Sequence, residues 1–253
     1  MDAVKSALQN PKLVTGAALV FAAGYVFVKN YLATGEAKPS STTTTTTTTT
    51  TEKKAPGEEE KKGEAPVSEY EEAIQKFFLD KTIFNDTDSG KYGPLHIDQA
   101  TTRKAVISNV KYDVVFCLRR KNYLGSLKAS FELSSVTDGS VFFDFTGKAI
   151  YTLKVNGSAV KDNTWAAHKL VIPTANLREG PNEVEIKYLN IYDNAGFGFH
   201  SFVDPIDDEQ YIFSDFEPFY AHRLFPCFDQ PNLKAPLKLR VIAPKQWKII
   251  ANE

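Results

Sequence analysis

Histidine and cysteine are the residues in this sequence most able to hold a metal ion, and the acidic residues are most able to activate water. The four histidines are His96, His168, His200 and His222, and no two of them lie within one helical turn. A zinc site built on a helix needs two imidazoles at positions i and i+4, with a glutamate general base between them. The pattern H-E-x-x-H is absent. We therefore expect no catalytic residue, no metal ligand and no cofactor within this sequence.

The two cysteines of the chain, Cys117 and Cys227, both lie in apolar stretches. One isolated pair provides neither a disulfide framework nor a set of zinc ligands. Free cysteines in apolar surroundings usually behave as small hydrophobic side chains. We therefore expect two buried thiols without a reactive role.

Two acidic residues, Asp215 and Glu217, are separated by a single residue. Carboxylates this close repel each other unless a cation lies between them. Further along the chain, Arg223 and Asp229 could form a buried, hydrogen-bonded ion pair.

The run from Arg223 to Pro231 has the composition of a structural corner. Pro226 and Pro231 cannot donate to a β-ladder, so they bracket a turn. Phe228 supplies an apolar anchor between them. We predict that Arg223, Pro226, Phe228, Asp229 and Pro231 serve mainly as scaffold.

β-Strands are predicted to position these residues. Apolar and polar residues alternate from Ser126 to Leu133 and from Tyr151 to Val155, and Asn156-Gly157 after the second run is typical of a type I′ hairpin turn. Short strands separated by turns predict a mainly β fold over residues 96–253, as a bent antiparallel sheet or a sandwich. A short helix is predicted in front of the strands, from Asp98 to Ile107.

The residues before this domain divide into three predicted segments. Residues 13–28 carry no charge, and if Lys29 snorkels, residues 13–33 reach the ~20 needed to span a bilayer. This predicts a single-pass membrane helix within residues 1–34, with a cleaved signal peptide as the alternative. Residues 35–66, rich in threonine and in charges of both signs, predict a disordered linker. Residues 67–95 are predicted to contain a short helix, opened by a capping box at Ser68, and a loop.

Charge excludes one class of partner. The sequence holds 30 basic and 31 acidic residues, for a net charge of −1. A nucleic-acid-binding domain usually presents a strongly basic patch or stripe. We therefore expect no nucleic-acid partner.

Residues 95–253 resemble the N-terminal β-domain of the zinc aminopeptidases related to aminopeptidase N, in particular the actinobacterial-type branch. The resemblance rests most heavily on AHRLFPCFDQP, which spans Ala221 to Pro231, and on the preceding FEP, from Phe216 to Pro218. Further matches are HIDQA at 96–100, RKAVISNVKYDVVFCL at 103–118, LKVNG at 153–157, FVDP at 202–205 and WKIIAN at 247–252.

The resemblance implies a saddle-shaped β-domain and a role for one carboxylate. In active relatives, the glutamate that matches Glu217 helps bind the free α-amino group of the substrate. The position that matches Asp215 is usually glutamine, so this chain departs from the pattern beside the implied site. Glu217 and Asp215 are therefore candidates for a vestigial peptide-amine site.

The resemblance also implies that parts of the family's architecture lie outside this sequence. The family's Gly-Ala-Met-Glu-Asn substrate loop and zinc helix are absent, and Met1 is the one methionine. Relatives continue through further strands after the match to WKIIAN, so we expect an open sheet edge at the C-terminal side of residues 96–253. Other protein subunits could complete that edge, including a separately encoded catalytic half.

Two functions follow from these observations. The first is a non-catalytic, membrane-anchored binding or structural subunit, accessory to a larger membrane complex. The second is a fragment, or one half, of a zinc metallo-aminopeptidase that removes N-terminal residues from peptides. The sequons Asn85-Asp86-Thr87 and Asn156-Gly157-Ser158 favour a luminal location. The membrane itself, mitochondrial inner membrane or cell surface and endomembrane, is left open by the sequence.

Overall fold

The computed structural model describes residues 14–15, 27–30, 83–91, 93–244 and 247–251. Helix α1 spans Ile97–Val106, and two 3₁₀ helices span Thr174–Asn176 and Ala221–Arg223. The strands, in chain order, are β1 (Val14–Thr15), β2 (Phe27–Asn30), β3 (Ile107–Leu118), β4 (Asn122–Leu133), β5 (Phe142–Asp144), β6 (Ala149–Val155), β7 (Ser158–Ala159), β8 (Trp165–Ala166), β9 (Lys169–Val171), β10 (Gly180–Ile191), β11 (Gly198–Val203), β12 (Gln210–Asp215), β13 (Leu237–Ile242) and β14 (Trp247–Ile250).

These strands form three sheets. A seven-stranded sheet has the order β1-β13-β3-β4-β10-β6-β7, a four-stranded sheet has the order β11-β12-β2-β14, and a three-stranded sheet has the order β5-β9-β8. The prediction of a mainly β fold is confirmed.

The long strands β3, β4 and β10 carry the core. Buried residues alternate with less buried ones along most of β4 and β10, as expected for a sheet with one face packed and one face wet. Aromatic side chains fill much of the packed face, where Phe143 stacks on Phe228 with ring centroids 4.5 Å apart. Phe131 approaches Phe228 edge-on at 5.4 Å. Such arrangements suit the ring quadrupole and add to the hydrophobic gain of burial.

The predicted hairpin at Asn156-Gly157 is confirmed. It joins β6 to β7, and Asn156 and Gly157 have φ values of 52° and 83°. A type I′ turn requires positive φ at both central positions, which asparagine and glycine tolerate best. The helix predicted from Asp98 to Ile107 is present as α1, shifted by one residue.

One strand pair departs from the predicted antiparallel arrangement. β13 runs parallel to β3, with Leu237 opposite Tyr112 and Ile242 opposite Cys117. The chain reaches β13 through the corner between residues 216 and 236 rather than through a hairpin from β3. A long connection of this kind permits a parallel pair, whereas a tight turn does not.

The prediction of a membrane helix at residues 13–33 is not supported by the structure. Within that segment it describes Val14–Thr15 and Phe27–Asn30, and both are strands. β1 pairs with β13, and β2 lies between β12 and β14. No helix in the described residues is long and apolar enough to cross a bilayer. The rest of the segment, the linker at 35–66 and the helix predicted to begin at Ser68 lie outside the described residues.

Strand β14 lies at the predicted open edge, and β2 of the same chain pairs with one of its two sides. Trp247 to Ile250 pair with Asn30 to Phe27 in antiparallel register. The completion of this sheet by another protein remains a prediction.

Candidate functional site

The loop that leaves β12 carries Glu217, the residue that the sequence analysis singled out. Gln210 to Asp215 pair with Val203 to Gly198 of β11, so the start of the loop is fixed by a regular ladder. Glu217 is exposed, and the Glu217–Pro218 peptide bond is cis. Among the residues that the structure describes, no hydrogen bond or ion pair involves the Glu217 carboxylate. The loop therefore presents one acidic group to solvent.

Asp215 has a different role from Glu217. One of its carboxylate oxygens, Oδ1, accepts a hydrogen bond from the backbone N–H of Glu217 at 3.2 Å. This local turn is a common use of aspartate side chains. The Asp215 carboxylate thus helps to hold the backbone at Glu217 in place.

Arg223 lies at the end of the second 3₁₀ helix, beside this loop. Its guanidinium Nη1 donates to Asp193 Oδ2 at 3.1 Å, and its Cζ lies 5.0 Å from the centroid of the Tyr220 ring. Gly198 makes room for the side chain: a Cβ atom there would lie 2.6 Å from Arg223 Cβ, and φ of Gly198 is +70°. Arg223 thereby ties the loop to the strand pair β11–β12.

The predicted ion pair between Arg223 and Asp229 is wrong. Asp229 Oδ2 instead accepts hydrogen bonds from His222, at 3.0 Å from the backbone nitrogen and 2.7 Å from Nδ1. Arg223 and His222 are adjacent on a 3₁₀ helix, so their side chains leave it in different directions. The buried neighbour, His222, faces Asp229, and the half-exposed Arg223 faces Asp193.

A buried ion pair lies beneath the corner. Arg103 of α1 donates from Nη1 to Asp144 Oδ2 at 2.8 Å and from Nε to Gln230 Oε1. The Arg103 guanidinium also lies over the Phe142 ring, 4.5 Å from its centroid. Burial raises the pKa of the Asp144 carboxyl above its ordinary value, and Arg103 opposes this shift.

Asp144 links this ion pair to the corner. Its Oδ2 accepts from the backbone N–H of Asp229 at 3.1 Å. Its backbone also forms a two-way bridge with Cys227, with N···O distances of 2.9 and 3.1 Å. Hydrogen bonds therefore connect Arg103 to Asp144, Asp144 to Asp229, and Asp229 to His222. This network fixes the base of the loop that carries Glu217.

Two of the three remaining predicted corner residues are packed in the core. Pro226 and Phe228 are buried, whereas Pro231 is exposed at the turn. Cys117 and Cys227 are buried, as predicted, and form no disulfide with each other. Burial, together with the nearby Asp229 and Asp144 carboxylates, raises the pKa of the Cys227 thiol. Cys227 is therefore a packing residue.

The sequence did not predict Arg103, Asp144 and Gln230 as parts of this network. A signal was present, because Asp144 is the one charged residue in the run Val141 to Phe145. A charged residue in an otherwise apolar strand must find a buried partner or remain costly. The partner could not be identified from spacing, since Arg103 lies 41 residues away on a helix.

An open polar cavity of about 500 Å³ lies beside Arg223. Its lining includes Asp86, His168, Asp193 and Arg223. Both acids already have partners in the cavity lining: Asp86 Oδ2 lies 3.1 Å from His168 Nδ1, and Asp193 binds Arg223. Glu217 does not line this cavity.

The residues do not fit a zinc site. Across the described parts of the chain, no three side chains of histidine, cysteine, aspartate or glutamate lie together as metal ligands would. The zinc motif is also absent from the full sequence. The loop after β12 offers a solvent-facing carboxylate, that of Glu217, whose backbone N–H is held by Asp215.

Comparison with known proteins identifies the family of this domain. The model of the peptidase M1 N-terminal domain matches residues 108–253. Aminopeptidase N of Streptomyces lividans is 35% identical over 114 residues, which are 45% of this chain and 13% of that protein. Probable aminopeptidase 1 of Sulfurisphaera tokodaii is 31% identical over 143 residues, which are 56% of this chain and 17% of that protein.

A mammalian aminopeptidase is also similar to this chain. Glutamyl aminopeptidase of Sus scrofa is 28% identical over 163 residues, 58% of this chain and 17% of that protein. The chain thus spans less than a fifth of the length of these curated relatives. Through residues 108–253, this chain belongs to the peptidase M1 N-terminal domain family.

Proposed function

We propose that this domain supplies substrate recognition to a zinc aminopeptidase, with Glu217 binding the free α-amino group of a peptide. The observation that carries the proposal is the exposed and unengaged carboxylate of Glu217, on a loop held by Asp215 and by the corner. An α-amino group is cationic below its pKa of about 8. A carboxylate at this position favours a chain end over an internal peptide bond, which carries no such charge.

Rigidity of the loop supports this role. A recognition group binds more tightly when its position is fixed before the ligand arrives, since less conformational entropy is lost on binding. Asp215 holds the backbone nitrogen of Glu217, and Arg223 packs over the Tyr220 ring at the next turn. The buried network from Arg103 to His222 supports both.

Hydrolysis is assigned to other residues. We propose that a catalytic domain carrying the zinc motif, joined to this chain or separately encoded, docks beside the Glu217 loop. The domain itself is then non-catalytic, and assembly with a catalytic partner is part of its function.

Exchange of this domain into an active relative tests the proposal. Residues 95–253, which include both Arg103 and Asp144 of the buried ion pair, would replace the matching region of Streptomyces lividans aminopeptidase N, and hydrolysis of an alanyl chromogenic substrate would be measured. We expect the chimera to be active and Glu217→Gln to lower its kcat/KM by roughly tenfold or more, because a charged hydrogen bond contributes about 1.5–3 kcal/mol.

Glu179→Gln is the matched control, since Glu179 is also exposed but lies before β10. An inactive chimera that still folds and binds zinc would contradict the proposed docking. Equal kcat/KM for the chimera and its Glu217→Gln variant would contradict the proposed role of Glu217.

Membrane attachment through residues 13–33 is a separate proposal, which rests on the uncharged run at 13–28. A bilayer-spanning helix competes directly with β2, because Phe27–Asn30 cannot be in both. If the segment anchors the chain, the full-length protein stays in the membrane pellet after alkaline carbonate extraction, and deletion of residues 1–34 releases it. Release of the full-length protein into the supernatant would contradict the anchor.

A further inference from the structure

The two N-glycosylation sequons of the chain lie in different structural settings. They are Asn85-Asp86-Thr87, before α1, and Asn156-Gly157-Ser158, in the hairpin between β6 and β7. We propose that Asn85 accepts an N-linked glycan when the chain passes through the secretory pathway, and that Asn156 does not carry one in the folded protein. This inference does not depend on the proposed role of Glu217.

The segment around Asn85 is firmly anchored. Phe84 is 1% exposed and exchanges two backbone hydrogen bonds with Ile150, at 2.8 and 3.0 Å. The side chain of Asp86 is also buried, and its Oδ2 accepts the backbone N–H of His168 at 2.9 Å. The residues on either side of Asn85 therefore point inward.

Asn85 and Thr87 alternate with these anchors and are both exposed. No hydrogen bond of the Asn85 side-chain amide is found among the described residues; its backbone carbonyl accepts from Asn163. The Thr87 hydroxyl makes one long contact, 3.4 Å to the carbonyl oxygen of Trp165. Asn85 also lies at the lining of the open cavity beside Arg223. A sugar attached to Asn85 Nδ2 thus displaces no interaction among the residues that the structure describes.

Asn156 uses its whole side chain inside the fold. Its Nδ2 donates to the carbonyl oxygen of Asn176 at 2.8 Å and to Asn182 Oδ1 at 2.9 Å. Its Oδ1 accepts the backbone N–H of Glu183 at 3.0 Å. These bonds hold the hairpin turn against the start of β10.

The chemistry of glycosylation separates the two sites. The Nδ2 atom of asparagine forms a bond to C1 of the first sugar, the bond from C1 to the lipid diphosphate donor breaks, and one Nδ2 hydrogen leaves as a proton. The glycosylated amide keeps one N–H. Asn156 donates both of its amide hydrogens, so a glycan would cost it a hydrogen bond and would require space between residues 176 and 182. Asn85 loses no hydrogen bond to the described part of the chain.

Expression of the full chain behind a cleavable signal peptide in human cells tests the inference. The soluble, folded product would be treated with an amidase that removes N-linked glycans, and occupancy at each asparagine would be read by mass spectrometry. We expect the glycan at Asn85. The electrophoretic mobility of the product should also change on treatment with the amidase. Thr87→Ala should abolish this mobility shift, while Thr87→Ser, which restores the sequon, should retain it.

Ser158→Ala is the matched control, because it removes the second sequon without touching the Asn156 side chain. We expect its mobility shift to equal that of the unsubstituted chain. A shift that survives Thr87→Ala, a glycan on Asn156 in the folded product, or no glycan at Asn85 would each overturn the inference.

Discussion

The guanidinium of Arg103 donates to the carboxylate of Asp144 at 2.8 Å, and both side chains are buried. This bond joins α1 to β5 beneath the corner that ends at Pro231. Because Asp144 also accepts from the backbone of Asp229, the ion pair supports the base of the loop that presents Glu217.

Removing one partner of this pair should be costly. Asp144→Ala leaves the Arg103 charge buried without its counterion, and the expected loss in the free energy of unfolding is about 3–5 kcal/mol. The double variant Arg103→Met/Asp144→Leu should lose less than Asp144→Ala. Urea unfolding measures both, with Lys128→Ala as a control at an exposed ion pair. A loss for Asp144→Ala no larger than that of the control would contradict the assigned role of the pair.

The bond between His222 and Asp229 should depend on the acceptor oxygen of residue 229. Asp229→Ala removes the acceptor of two hydrogen bonds at a partly buried position, and we expect a loss of about 1–3 kcal/mol in the free energy of unfolding. Asp229→Asn keeps one acceptor oxygen and should cost less. Equal losses for the two variants would mean that the side chain contributes by packing rather than by accepting hydrogen bonds.

Gly125 should not tolerate a side chain. A Cβ atom at this position of β4 would lie 1.9 Å from Cζ of the buried Tyr188 ring. Overpacking of a core typically costs about 1–3 kcal/mol, so Gly125→Ala should lower the melting temperature clearly. Gly90→Ala, where the added methyl meets open space, is the control. If the two variants melt at the same temperature, the close packing of Tyr188 on β4 is contradicted.

Both thiols should be unreactive in the folded protein. Burial raises the pKa of the Cys227 thiol, so at neutral pH it stays protonated, and the thiolate is the reactive form. Cys117 is equally buried. A colorimetric disulfide reagent should therefore detect no thiol in the native protein and both thiols after unfolding in urea. Rapid reaction of the reagent with either cysteine of the native protein would contradict this packing.

Periodicity predicted the parts of the fold that local chemistry determines. The strand from Ser126 to Leu133 and the hairpin at Asn156-Gly157 follow from alternation and from turn residues that accept positive φ. The buried thiols follow from the apolar runs around Cys117 and Cys227.

Long-range pairing was beyond the sequence. Arg223 and Asp229 were expected to be able to form a buried, hydrogen-bonded pair, but the direction of each side chain depends on a 3₁₀ helix that the sequence pattern does not predict. The uncharged run at 13–28 fitted a membrane helix by length and composition, yet apolar residues also suit strands. In both cases, tertiary packing determines which side chain or strand is the partner.

Direct titration tests the central claim, which is that Glu217 recognises a cationic chain end. The ¹⁵N-labelled full chain would be titrated with alanine amide, with N-acetylalanine amide as the uncharged control, and amide shifts near residues 215–220 would be followed by NMR. A single exposed charge pair is weak, so a Kd on the order of millimolar or weaker is expected. We expect alanine amide to change the amide chemical shifts near residues 215–220. These changes should be absent in Glu217→Gln and present in Glu179→Gln. Identical shifts with the acetylated ligand, or shifts unchanged in Glu217→Gln, would contradict it.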